Sequence, residues 1–206
     1  GEFSGQHISK ARGAIIDKLK TKGLLVKVDP NYLHNIKCCY KCGTTIEPQI
    51  KEQWFVKMKP LAKLALEAYH SKQIKFIPDG QGKAFEYFME NTLDWNISRQ
   101  IVWGIPIPAW ERAGEWQVSL ESPGEGWLKD VDTFDTWFSS GQWPFATLGY
   151  PDSPDFKSFY PTTVMETGSD LIFFWVARMI MLGLYRTGEV PFKYVYMHGL
   201  VRDAKG

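Results

Sequence analysis

An excess of charge of one sign is missing from this sequence. Its 206 residues carry 24 Lys plus Arg against 23 Asp plus Glu, a formal net charge of +1. That balance excludes the domain-wide basic field that drives nonspecific nucleic-acid binding, so any contact with RNA has to be local. A long apolar run is missing as well. The longest stretch of large apolar residues, 171–176, falls far short of the roughly 20 residues a membrane span requires, and no basic, then apolar, then small-residue leader opens the chain. Cysteine is scarce: Cys38, Cys39 and Cys42 form a single odd-numbered group, a poor basis for a disulfide framework. These absences point to a soluble protein of a reducing compartment, the cytoplasm, with no membrane partner. There is no internal repeat and no second Cys-x-x-Cys. Gly1-Glu2-Phe3 lacks an initiator Met and Asp203-Ala204-Lys205-Gly206 lacks a terminating pattern, so the natural protein is expected to continue on both sides.

What is present suffices for one sizeable core or two small ones, since 44% of residues are apolar and 15% aromatic. In residues 9–19, Ala11, Ala14, Ile15, Ile16 and Leu19 recur at helical spacing, and Gly23 follows as a stop. Residues 24–28 read as a short strand. Gly43 in Cys39-Tyr40-Lys41-Cys42-Gly43 marks a tight knuckle turn. Residues 56–69 are helical in pattern, with Met58, Leu61, Ala62, Ala65, Leu66 and Tyr69 on one face. Phe76-Ile77-Pro78-Asp79-Gly80 reads as a turn, and residues 84–93 as a short aromatic helix. Pro106 and Pro108 favour an extended segment outside any central sheet. Residues 113–126, polar and Gly-containing, read as a hairpin or loop and as the domain border.

After Trp127 the pattern becomes strand (162–166), turn, apolar helix (171–185), Gly188 and strand (194–199). Short links between these elements imply a right-handed parallel crossover, the unit of a doubly wound α/β domain. Ligands of such sheets bind beyond the carboxyl ends of the strands. One end here is Glu166-Thr167-Gly168-Ser169-Asp170, where Gly168 lets a ligand near the backbone and the two carboxylates accept from hydroxyls, as a ribose requires. The other is His198-Gly199. The same residues also suit plain structural roles, Asp170 as a helix cap and Gly168 as a turn. The stretch 135–145 packs Trp137, Phe138, Trp143 and Phe145 together, either as an apolar pocket or as ordinary core, and Trp175 shares that ambiguity. Cys39-x-x-Cys42 has the spacing of half a zinc site; four ligands are needed, and only His34 and Cys38 stand nearby. Arg99, among polar residues, suits a phosphate contact or a solvated surface.

Taken together, Asp135-Thr136-Trp137-Phe138-Ser139-Ser140, Trp143-Pro144-Phe145, Glu166-Thr167-Gly168-Ser169-Asp170, Phe173-Phe174-Trp175-Val176-Ala177-Arg178 and His198-Gly199-Leu200-Val201-Arg202-Asp203 resemble the valyl-tRNA synthetases of class I. Upstream, Gln53-Trp54-Phe55 and Asp94-Trp95-Asn96-Ile97-Ser98-Arg99-Gln100 resemble the same family in the same order, so the likeness covers nearly the whole chain. Isoleucyl- and leucyl-tRNA synthetases share the architecture and the Gln-Trp-Phe pattern; the Thr-Trp-Phe-Ser-Ser wording points to valine. A self-standing RNA-binding or interaction module built on the cysteine knuckle is the competing reading.

The resemblance implies an α/β protein: residues 127–206 as the second half of a Rossmann-type catalytic domain, and 1–126 as a connective module returning from an inserted editing domain. It implies that Trp137, Leu171 and Trp175 line a valine pocket, that Glu166, Gly168 and Asp170 bind the ribose and aminoacyl part of the adenylate, and that His198 and Gly199 lie against adenine. Arg99 would lie on the path of the tRNA acceptor end. Cys39 and Cys42 would be half a zinc site completed from outside this chain. The parent enzyme would use valine, ATP with magnesium and tRNA(Val). Its His-Ile-Gly-His and Lys-Met-Ser-Lys-Ser motifs would fall before residue 1 and after Gly206, so the resemblance implies an inactive fragment whose open sheet edge favours self-association.

Overall fold

The computed structural model describes residues 1–40 and 42–205. Close contacts divide the chain into two units, Gly1–Ile50 and Lys51–Gly206, and the two are built differently.

In the first unit, helix α1 (Ile8–Thr21) begins at His7, whose ring nitrogen accepts from the Ser9 N–H, and ends beyond Lys18 and Lys20, cations suited to the negative end of the helix. Its apolar spacing is the expected one, yet none of its residues is buried. The strand expected at residues 24–28 does not form: Val26 is wholly exposed. Strand preference describes fit to a half-buried pleated surface, and among the described residues no strand pairs with this stretch. The cysteine segment does fold back on itself. Cys38 bridges Thr45, Cys39 N–H donates to the Thr44 carbonyl at 2.8 Å, and Gly43, at φ +71°, donates to the Cys39 carbonyl at 2.8 Å. Lys41 of that segment lies outside the described residues.

The second unit runs β1 (Phe55–Val56), α2 (Met58–His70), β2 (Lys75–Ile77), α3 (Gly80–Glu90), β3 (Trp95–Asn96), β4 (Ser98–Arg99), β5 (Ala109–Arg112), β6 (Glu115–Val118), β7 (Leu128–Lys129), β8 (Thr133–Phe134), α4 (Thr136–Ser140), α5 (Trp143–Ala146), α6 (Pro154–Phe159), β9 (Thr162–Gly168), α7 (Arg178–Thr187) and β10 (Phe192–His198). Its main sheet has the order β2-β10-β9, with both pairings parallel. The expected strand–helix–strand unit is thus present as β9, a helical crossover and β10. Phe76 and Ile77, read from sequence as a turn, belong instead to β2; Phe76 is 3% exposed between two exposed neighbours, the alternation of a strand, and the turn starts at Pro78. The sheet therefore draws β2, and the helices on either side of it in sequence, from residues before the border expected at 126/127.

The crossover is not one uniform helix. A 3₁₀ turn at Ser169–Leu171 leads into a π-helical turn at Ile172–Ala177, and only then into α7, which Gly188 closes at φ +78°. Phe76, Met165, Val195 and Met197 point to one face of the sheet and join an apolar cluster with Met58 and Ala65 of α2, Phe85 of α3 and Val176, Met179 and Ile180 of the crossover. Each large side chain so buried contributes about 1.5–3 kcal/mol. Val164, Glu166, Tyr194, Tyr196 and His198 alternate onto the opposite, exposed face.

The stretch 113–126, expected as a hairpin or loop, begins in the turn of a hairpin that starts earlier, β5–β6, turned through Ala113 and Gly114, both at positive φ; β7 adds to the other side of β5. The proline segment runs extended at an edge, Pro106 bridging Thr133 and Ile107 N–H donating to the Asp132 carbonyl at 3.1 Å.

Candidate site at the strand ends

Parallel pairing in register makes β9 and β10 finish level, Tyr196 beside Glu166 and His198 beside Gly168. Glu166 and His198 share the exposed face, with His198 Nε2 3.4 Å from Glu166 Oε1. His198 Nδ1 lies 2.8 Å from the Gly199 carbonyl, which only accepts, so Nδ1 carries a proton and the pair with Glu166 is ionic only when the ring is doubly protonated. Gly168 is extended here, so what it supplies is room rather than a special backbone shape. A Cβ at this position would stand 2.7 Å from Asp170 Oδ1, 2.9 Å from Leu200 Cδ2 and 3.6 Å from His198 Cε1. Glu166, Gly168, Asp170, His198 and Gly199 are therefore gathered at one edge. Gly168, not Asp170, holds the N-cap position, which leaves the exposed Asp170 carboxylate within the first turn, where the helix N-terminus favours negative charge.

The aromatic residues sort themselves by contact. Phe145, 6% exposed, belongs to the core, Phe138 is half-buried and stacks on Phe134 at 4.6 Å, and Trp143 is 53% exposed. Trp137 and Trp175 are half-buried and meet the same junction between α4 and the π-helical turn. Trp137 lies 6.1 Å from the Phe174 ring, and Trp175 Nε1 donates to the Ser140 carbonyl at 3.2 Å. The wider π turn lets three consecutive aromatics find separate partners, Phe173 resting 5.3 Å from Phe88. Leu171 is half-buried immediately before that turn. The C-terminal end of α4 is closely packed, since a Cβ on Gly141 would stand 2.8 Å from Leu182 Cδ1 and 3.4 Å from Arg178 Cβ.

The sequence matches the family of tRNA synthetases of class I (I, L, M and V) over residues 6–127 and 113–206. The chain belongs to that family. It is 50% identical to the valine–tRNA ligase of Clostridium tetani over 216 residues, covering 100% of this chain and 24% of that protein. It is 47% identical to the valine–tRNA ligase of Dehalococcoides mccartyi strain CBDB1, with the same coverage. The chain thus spans about a quarter of the length of these relatives. In fold it is similar to methionyl-tRNA synthetase of Mycobacterium tuberculosis in complex with methionyl-adenylate, with a TM-score of 0.57 and 20% identity over 80% of this chain and 29% of that one.

This synthetase chain holds two buried charged residues beside the aromatic junction that the motif reading passed over. Asp135, 6% exposed, accepts from Trp95 Nε1 at 2.8 Å, pairs with Arg99 Nη2 at 3.0 Å and lies 3.6 Å from Arg178 Nη1. Arg178, also 6% exposed, sets its guanidinium 3.8 Å over the Trp95 ring and 5.6 Å from both Phe173 and Phe174. Its Nε and Nη1 make no hydrogen bond among the described residues. Burial pushes the guanidinium down to about 10, with Arg99 adding to the effect and Asp135 opposing it, so the group is still charged at neutral pH. One signal for it was in the sequence: a single charge in the apolar run Phe173 to Met181 has to find a partner. Arg99 itself is engaged on two sides, donating through Nη1 to the carbonyls of Asn96 at 3.0 Å and Ser98 at 2.8 Å as well as pairing with Asp135.

At the cysteine knuckle, Cys42 Sγ lies 3.3 Å from the Thr44 hydroxyl. That contact, helped by the Thr44 backbone and the Cys39 thiol, holds the Cys42 thiol below its ordinary range, a bias toward the thiolate a metal would require. Two thiols supply at most half of the four ligands that a tetrahedral zinc site takes. Among the described residues no group of three or more His, Cys, Asp or Glu could hold a metal ion, nor is any helix long and apolar enough to cross a membrane.

Proposed function

We propose that this chain forms one wall of the aminoacylation site of a valine–tRNA ligase, which activates valine with ATP and transfers it to tRNA(Val). The observation that carries the reading is the convergence of Gly168, Asp170 and His198 at level strand ends in a chain half identical to valine–tRNA ligases. In the reaction a valine carboxylate oxygen attacks the α-phosphate of magnesium-bound ATP, pyrophosphate leaves, and the valyl group then passes to a hydroxyl at the tRNA 3′ end. Positioning and electrostatics supply most of the rate in such chemistry.

Asp170 and Glu166 accept from ribose hydroxyls and the valine ammonium, while the missing Cβ at Gly168 leaves room for the Asp170 carboxylate to sit against the strand end. His198 and Gly199 lie against adenine. Trp137, Leu171 and Trp175 enclose the valine side chain; their half-burial suits walls that a ligand completes. Arg99, with 39% of its side chain exposed, retains surface to meet a phosphate of the acceptor end. Residues 127–206, with β2 joined to their sheet, form the second half of a Rossmann-type domain, and the rest serves as connective module. Cys39 and Cys42 would hold zinc only with ligands from elsewhere. The protein works in the cytoplasm, and the isolated chain self-associates through the outer edges of β2 and β9.

The test is ATP–pyrophosphate exchange in the full-length protein. Valine should support exchange, Asp170→Ala should lower it by about 100-fold or more, and this chain alone should give none. Exchange supported by isoleucine or leucine but not valine, or exchange by the isolated chain, would overturn the reading.

A further inference from the structure

We propose that Asp135 and Arg178 are positioning residues that set the amino-acid pocket by fixing α4 against the π-helical turn. The inference rests on the pocket assignment above and goes beyond it, since neither residue lines the pocket. It starts from the weakness of α4. Five residues are too few to hold a helix by their own hydrogen bonds, yet this helix carries Trp137 and offers the Ser140 carbonyl that takes the Trp175 indole. Its position has to be imposed from outside.

One carboxylate imposes it. Asp135 caps α4 by accepting from the Trp137 N–H at 3.4 Å, and its own N–H donates to the Ile97 carbonyl at 2.7 Å. Through its oxygens it is also tied to Trp95 of β3, Arg99 of β4 and Arg178 at the start of α7. Arg178 is wedged in turn between the Trp95 ring and the Phe173 and Phe174 rings, and Phe174 is the ring that faces Trp137. A change at Arg178 thus reaches Trp137 by two routes, through Asp135 and the cap, and through Phe174. Both groups are buried ions: loss of Asp135 leaves the Arg178 charge uncompensated, whereas loss of Arg178 leaves Asp135 paired with Arg99 alone. A pocket that tells apart side chains differing by one methylene works within a 10- to 200-fold range, so a small shift of one wall is enough to register.

The experiment compares four forms of the full-length protein: wild type, Asp135→Asn, Arg178→Lys and the uncharged double variant Asp135→Asn/Arg178→Met. Asn keeps an acceptor for the cap without the charge; Lys keeps the charge without the plane that rests on Trp95. Each single variant should raise the valine KM by about tenfold or more while the ATP KM stays within about twofold, and should shift the kcat/KM ratio of valine over isoleucine and threonine. The double variant, whose Asn amide now faces the Trp95 N–H, should regain part of the urea midpoint lost by Asp135→Asn and still keep the raised valine KM, which a purely structural role would not leave behind. Folded variants with wild-type valine KM and discrimination would overturn the proposal, as would valine and ATP KM values rising together. The wild-type control separates this failure from that of the functional reading. If wild type exchanges with another amino acid, the reading of valine falls and the same variants are judged on that amino acid; if it exchanges with none, both fall.

Discussion

Helices α1 and α2 have nearly the same length, 14 and 13 residues, and both repeat apolar side chains at helical spacing, but α1 buries none of its residues whereas α2 buries Met58, Leu61, Ala62, Ala65 and Ala68. The difference lies in what each helix finds to pack on. Within its own unit α1 is held by its caps and by the surface ion pairs Arg12–Glu47 and Lys18–Glu2, interactions worth about 0–1 kcal/mol each. Helix α2 lies in the apolar cluster that includes α3, α7 and one face of the parallel sheet. Periodicity specifies that a helix forms; burial requires a second surface, and only the longer unit builds one.

The strongest way to break that comparison is to cut into the cluster. Phe85, fully buried, touches the rings of Phe76 and Tyr69, and Phe85→Ala should cost about 3–5 kcal/mol in urea unfolding. A loss below about 1 kcal/mol would mean that the cluster does not carry the fold. A middle-sized effect is expected at Tyr160, whose hydroxyl donates to the Glu189 carbonyl at 3.0 Å and accepts from Thr187. Burial, more than any neighbouring charge, raises its pKa from the usual 10.0 to about 12. Because the folded value lies above the unfolded one, this stabilisation is complete below pH 10 and is lost as pH rises through 12. Urea midpoints measured across that window should fall for the wild type and fall less for Tyr160→Phe; parallel curves would remove Tyr160 from the account. The smallest effect belongs to the first unit. Ile15, 41% exposed, should tolerate Ala with a change within about 0.5 kcal/mol, and a large loss there would show a core that α1 serves.

Sequence reading served best where pattern and chemistry were local. The β9–crossover–β10 unit, the stop at Gly188 and the gathering of Glu166, Gly168, Asp170 and His198 all follow from spacing along the chain together with the rule that parallel strands end level at their ligands. It served less well where a partner distant in sequence decides the outcome. Strand β2 is three residues long, too short to show a period, and becomes a strand by pairing with β10, more than a hundred positions away. Residues 24–28 have strand-like side chains and no such partner among the described residues. Asp135 and Arg178 were hidden for the same reason: in one dimension they are a cap and a stray charge, and they become a pair only when α4 meets the crossover. The reading of Trp137 and Trp175 as walls drew on family likeness, because spacing alone does not separate a half-buried wall from a buried core ring.

The π-helical turn at Ile172–Ala177 carries a consequence for how this segment can evolve. A π turn accommodates a residue more than the α-helical turn it interrupts, and is the shape left when an insertion is absorbed inside a helix without breaking it. Deleting one residue there to restore α spacing would rotate Phe173 and Phe174 by about 100° against Arg178, carrying both rings off the guanidinium and Phe174 off Trp137. A one-residue deletion in this stretch should therefore disturb the junction with α4 more than the exchange of one side chain for another.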